Sequence, residues 1–279
     1  MTFGELKRVE ITVLADNNVL RPGKFLGEYG FSAFIKAVGD DELGILLDTG
    51  CGEVIEHNVE LAKIGWDEIN YIVLSHRHFD HTGGLLKVLE HTKAPIIAHP
   101  DLFEPSFLWV RNRLIDGSLP FSRTQLEEKG ARFYFIRDML KLMDGVAVSG
   151  EIPRVSFEKS PETFKLEEGR YVNDPMLDDM AIFAKTKSGG VVITGCAHSG
   201  VVNTAIRAKE VMGDLHAVVG GFHLIFSPPE RIEKTADELV KMANVLSPTH
   251  CSGAVIHGEI AKRAKEKLMP VGSGVKLVF

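Results

Sequence analysis

Short runs of β-branched and aliphatic residues recur along the chain, separated by polar turns and by stretches whose apolar positions fall three or four apart. The runs Glu10 to Leu14, Gly44 to Leu47, Ile69 to Leu74, Pro95 to Ala98, Gly190 to Ile193 and His216 to Val219 predict buried strands. Leu85, Leu86 and Leu89, after the Gly83–Gly84 pair, predict a helix; Ala205 to Val211, Ile232 to Val245 and Ile260 to Leu268 predict three more. Strands and helices alternate, and turns such as Asp48-Thr49-Gly50 stand at strand ends. That order predicts an α/β layered chain.

Between Pro100 and Asp178 the pattern weakens into aromatic-rich sequence such as FEPSFLWVRNR, GARFYFIRD and SGEIPRVSFEK. We read residues 1–279 as one domain in which about 100–178 form an insertion over one edge of the core. Long excursions of this kind serve as lids or substrate walls, and a peripheral structural subdomain is the competing expectation.

Composition narrows the classes. With 279 residues, 44% apolar and 25% charged, the chain can bury one large core. Its net charge of −6, from 32 basic and 38 acidic residues, speaks against a nucleic-acid partner, since phosphate binding demands a basic surplus. A local basic pocket for a small phosphorylated substrate stays compatible with it. The opening MTFGELKRVEITVLADNN lacks an apolar signal core, and no apolar run approaches about 18 residues. The expectation is a cytoplasmic protein with no membrane association; self-association into a homo-oligomer is left open. Three cysteines, Cys51, Cys196 and Cys251, are an odd number, which points away from a disulfide framework and toward reactive or ligating thiols.

The densest chemistry lies in YIVLSHRHFDHTGG, where three His and one Asp fall within six residues after an apolar strand. In an extended loop, His76 and His78 can turn toward one point; Asp80 and His81, where the chain bends into a helix, can serve a second. Such ligands suit zinc, iron or manganese. The bland reading is a histidine-rich surface loop. GGVVITGCAHSG ends a strand at Cys196 with His198 two residues on, and LSPTHCSG ends a shorter one at His250. Strand ends are where α/β folds place ligands, although small buried cysteines are also common in cores. His223, after the Gly pair of VVGGFHL, is a candidate for substrate binding or acid–base work. Arg154 and Glu151 of GEIPR are candidate substrate contacts, because an arginine suits a phosphate. His57, His91, His99, His216 and His257 lie outside these motifs and are expected on the surface or satisfied in the core, His99 being the least secure.

HRHFDH resembles the HxHxDH signature of the metallo-β-lactamase superfamily, and ILLDTG, TGC and THCSG resemble its further strand-end motifs. GFSAFI, GEIPR, DDMAIF, TGCAHSGVVN, VGGFHL and HCSG together look like its dihydropterin synthase-like branch. That branch includes an enzyme making a ribofuranosylaminobenzene-phosphate dihydropterin and many metal-dependent hydrolases. The resemblance implies an αβ/βα four-layer sandwich and a dinuclear site, with zinc expected and iron or manganese as alternatives. On it we assign His76 and His78, with His198, to a first ion, and Asp80, His81 and His250 to a second, with Cys196 as ligand or neighbour. Asp80 could also take a proton from a nucleophile. One departure stands out: where the superfamily usually carries a His before the TGC hairpin, this chain reads NDPMLDDMAIF. Asp178 or Asp179 could replace it, or His198 could turn in; we favour His198, with Asp179 orienting a ligand, capping the loop or touching substrate.

The implied activity is hydrolysis by metal-activated water, or a pterin-type transfer in which metal stabilises departing pyrophosphate. A di-iron redox protein, a non-catalytic metal or ligand sensor and a nuclease are the competing classes. The absence of room for a flavin domain, the near-complete ligand set and the net charge count against them in turn.

Overall fold

The computed structural model describes residues 3–110, 112–158 and 163–279. It opens with strands β1 (Arg8–Ala15), β2 (Ser32–Val38) and β3 (Glu42–Leu47), then α1 (Ile55–Ala62), β4 (Tyr71–Val73), α2 (Phe79–Thr82), α3 (Leu85–His91) and β5 (Ile96–Ala98). Next come β6 (Phe107–Val110), β7 (Arg113–Asp116), α4 (Arg123–Glu128), β8 (Phe133–Phe135), β9 (Leu140–Met143), β10 (Val146–Val148), β11 (Thr163–Glu167) and β12 (Arg170–Asn173). The chain closes with β13 (Ala181–Thr186), β14 (Gly189–Thr194), α5 (Val201–Met212), β15 (Leu215–Gly221), α6 (Pro229–Met242), β16 (Val245–Thr249), α7 (Ala254–Ala264) and β17 (Lys276–Val278).

These strands form a seven-stranded sheet, β17-β1-β2-β3-β4-β5-β8, a six-stranded sheet, β16-β15-β14-β13-β10-β9, and a small sheet, β12-β11-β6-β7. Strand residues point alternately to opposite faces, and in the two large sheets both faces are apolar. Ile45 and Leu47 of β3 meet Ile182, Val191, Ile193 and Val219 of the second sheet in one core between the sheets. Leu46, between them, instead packs with Ile55 and Val59 of α1 and Leu85 and Leu89 of α3. Phe183, Val192 and Val218 likewise turn outward to Val202 and Ala205 of α5, Leu239 of α6 and Ile260 of α7. Three apolar layers therefore bind four layers of secondary structure, helix–sheet–sheet–helix, and this is the αβ/βα sandwich expected above.

Each predicted strand run falls in a strand, β1, β3, β4, β5, β14 and β15 in turn. Two predicted helices shift. The third ends at Met242 because Val245 opens β16, and the fourth runs Ala254–Ala264, with a three-ten turn at Lys265–Lys267. In the 100–178 stretch, β8 extends the first sheet, β9 and β10 extend the second, and β6, β7, β11 and β12 make the small sheet; positions 111 and 159–162 lie outside the described residues. The small sheet is rooted beside the HRHFDH loop, where Gly117 accepts the Phe79 N–H at 3.0 Å. Among the described residues, no helix is long and apolar enough to cross a membrane.

Candidate metal centre

Strands β3 and β4 run parallel, as do β14, β15 and β16. The loops at their C-terminal ends converge, which is where parallel sheets present ligands. Asp48, just past β3, accepts the Ser75 N–H and hydroxyl, each at 2.7 Å, and lies 2.7 Å from His81 Nδ1. One carboxylate thus ties down both ends of the HRHFDH loop. Ser75 Oγ stands 2.9 Å from His76 Nδ1, and Ser106 Oγ 3.0 Å from His78 Nε2. Past β16, Asn17 Oδ1 is 2.9 Å from His250 Nδ1, and Asp16 accepts the His250 N–H at 2.8 Å together with the Thr249 hydroxyl.

With one nitrogen of each ring held, the other faces inward, and outer partners of this kind orient metal-binding imidazoles. His81 Nε2 lies 3.1 Å from Cys196 Sγ and 3.2 Å from His250 Nε2, and Asp80 Oδ2 is 3.4 Å from His250 Nε2. His76 Nε2 and both ring nitrogens of His198 are buried with no hydrogen-bond partner. Gly195 precedes Cys196 for steric reasons: a Cβ there would lie 2.7 Å from Asp48 Oδ2 and collide with Ser75.

The electrostatics match a cation site. Burial holds His76 and His198 well below the ordinary histidine value and His78 down to about 3, leaving neutral imidazoles with free lone pairs. Burial also opposes charge on Asp80, but His81 and His250 outweigh it and keep the carboxylate ionised well below its usual range. At His250, burial works downward while Cys251 and Asp80 raise the imidazole to about 9, so a bound ion would have to displace that proton. Burial pushes the Cys196 thiol up; ligation would require its deprotonation too.

Among the described residues there are five groups within each of which the potential ligand atoms lie no more than 4.8 Å apart: His76–His78–His198, Asp80–His81–His250, His76–His81–Cys196, Cys196–His198–His223 and Cys196–His250–Cys251. The first two are the trios expected for the two ions. A buried carboxylate, five imidazoles and a thiol without other work fit divalent metals of the zinc and iron type.

The other candidate residues fall outside these groups. Asp179 Oδ2 accepts the Ser199 N–H at 2.9 Å and its hydroxyl at 2.5 Å, holding the turn that carries His198. Asp178 is bound to Arg77, whose guanidinium also meets Asp174; Arg77 is 1% exposed and sits between His76 and His78. Glu151 and Arg154 line a separate cleft of about 650 Å³. There Glu151 lies 3.0 Å from the buried His99, and Arg154 donates to the carbonyls of Pro175 and Met176. His57, His91, His216 and His257 contact Lys24, Glu56, Phe279 and Gly253, away from the centre. Asp48, Asp16, Asn17, Ser75, Ser106 and Arg77 were not picked out from the sequence as site residues. The signal was present for two of them, because LLD and LAD both end an apolar strand on an aspartate.

A family profile described as the metallo-beta-lactamase superfamily matches residues 27–199. The 7,8-dihydropterin-6-methyl-4-(β-D-ribofuranosyl)-aminobenzene-5′-phosphate synthase of Methanocaldococcus jannaschii is 32% identical over 292 positions, spanning 100% of this chain and 99% of that protein. An uncharacterized protein of the same organism is 33% identical over 249 positions, with 87% and 90% covered. A solved structure titled as a metal-dependent hydrolase of the β-lactamase superfamily superposes with a TM-score of 0.80 at 25% identity, covering 96% of this chain and 98% of that one. With the HRHFDH loop, the strand-end ligands and the four-layer sandwich in agreement, the chain belongs to the metallo-β-lactamase superfamily.

Proposed function

We propose that this chain is a metal-dependent enzyme that holds two divalent ions and acts on a small phosphorylated molecule, with dihydropterin transfer as the leading reaction. The observation that carries the reading is the pair of ligand trios, His76–His78–His198 and Asp80–His81–His250, buried side by side. The full-length similarity to a pterin-phosphate synthase favours transfer. Hydrolysis is the second reading, favoured by the solved hydrolase with a TM-score of 0.80.

Bound ions would supply Lewis acidity, to neutralise a departing pyrophosphate in transfer or to make hydroxide available in hydrolysis. Asp80, whose carboxylate His81 and His250 hold well below its usual range, would serve as an anionic ligand to the second ion, since that shift favours holding a cation over taking up a proton. Asp48, Asn17 and Ser106 fix the rings, so little reorganisation accompanies reaction. Metal content per chain should be about two ions, falling by about one in His81→Ala and in His250→Ala, by elemental analysis of protein purified without added metal. One ion or none, unchanged in both variants, would sink the two-metal reading. Turnover of a dihydropterin pyrophosphate with a ribofuranosylaminobenzene phosphate, against release of phosphate from phosphoesters, separates transfer from hydrolysis.

A further inference from the structure

His223 was expected in substrate binding or acid–base work, yet its surroundings are those of a ligand. Its ring centroid lies 4.1 Å from that of His198, and its ligand atom groups with Cys196 and His198 within 4.8 Å. Its Nδ1 is buried with no hydrogen-bond partner. A histidine packed for structure alone would have its ring nitrogens satisfied.

The backbone points the same way. His223 has φ +49, a left-handed conformation uncommon outside glycine, asparagine, aspartate and histidine, which neighbouring contacts can hold in place. Here they do: Phe222 N–H donates to Ser252 Oγ at 2.9 Å, and the N–H groups of Leu224 and Ile225 both donate to the Cys251 carbonyl at 3.1 Å. The residue is thereby pinned on both sides to the turn that carries His250, which itself has φ +48. Two left-handed histidines follow adjacent parallel strands, their turns joined by three hydrogen bonds, and each has a ligand atom within 4.8 Å of that of Cys196. The NDPMLDDM segment, whose Asp174 and Asp178 are bound to Arg77, contains no histidine.

We propose that His223 is a metal ligand, joining Cys196 and His198 from the β15–α6 loop and completing the coordination of the ion nearest His198. A nitrogen–nitrogen–sulfur set of this kind selects zinc-like or iron-like ions over magnesium or calcium. The proposal adds a ligand to the centre described above and stands whichever reaction the centre performs.

The test is metal binding rather than turnover, with Co²⁺ as the probe on the full chain. His223→Asn is the first variant, because asparagine tolerates the left-handed backbone; His223→Gly, free of strain there, is the second. Affinity should fall about tenfold or more in both. The paramagnetically shifted imidazole N–H signals of the Co²⁺ protein should lose one member, and the metal-free proteins should melt at an unchanged temperature. Unaltered affinity and spectrum would overturn the assignment and return His223 to acid–base work. Weaker binding with every shifted signal retained would overturn it too, making His223 a positioning residue. A lower melting temperature of both metal-free variants, with the full set of signals, would make it structural.

Discussion

Asp48 illustrates how much of the centre depends on a residue outside the candidate ligand groups. Its carboxylate bonds the start of the HRHFDH loop through Ser75 and its end through His81. Replacing it by asparagine preserves the volume but removes the charge that favours one tautomer and one orientation of His81. Asp48→Asn should therefore weaken metal binding by roughly 10- to 100-fold with the fold intact, read by competition against a chromophoric chelator. An unchanged affinity would show that the loop holds itself. His76, His78 and His81 were readable from spacing because their proximity is local. Asp48 lies 33 positions from His81, and Asp16 lies 234 from the backbone N–H it holds. Nothing local in a sequence announces such partners; only an apolar strand ending on an acid hints at them.

At the scale of elements, the loop from Asp174 to Met180 is fastened to the HRHFDH loop by Arg77. Its guanidinium meets two carboxylates at almost complete burial. Removing the cation would leave both acids buried without a counter-charge, so Arg77→Met should cost about 3–5 kcal/mol of stability. The urea midpoint would report this, and Arg77→Lys should recover little, since one ammonium cannot replace a planar two-sided donor. A loss below about 1 kcal/mol would mean that water or relaxation satisfies the acids. The arginine was hidden between two histidines in the motif. The regular elements were plainer, because β3, β14 and β15 are apolar on both faces and read as continuous runs. Where apolar spacing crossed a boundary, as at Val245 between α6 and β16, helix and strand could not be told apart by period. The strands of the 100–178 stretch are three to five residues each, too short to stand out from their neighbours.

For the molecule as a whole, the candidate ligands divide between the two large sheets. His76, His78, Asp80 and His81 follow a strand of the first, and Cys196, His198, His223 and His250 follow strands of the second. Chelation should lower the melting temperature on the order of 5 °C or more, taking an ion at about a hundred times its dissociation constant to add about 2.7 kcal/mol. Differential scanning calorimetry with and without chelator would show it, and coincident melts would mean that the ions bind folded and unfolded chains alike. Coordination bonds crossing from one sheet to the other would act as a clasp at the open end of a seam otherwise closed by apolar packing. Unfastening it should let the strand ends of both halves breathe together, so that amides of β4 and β14 exchange with solvent in step, while the far edges of the same strands stay silent.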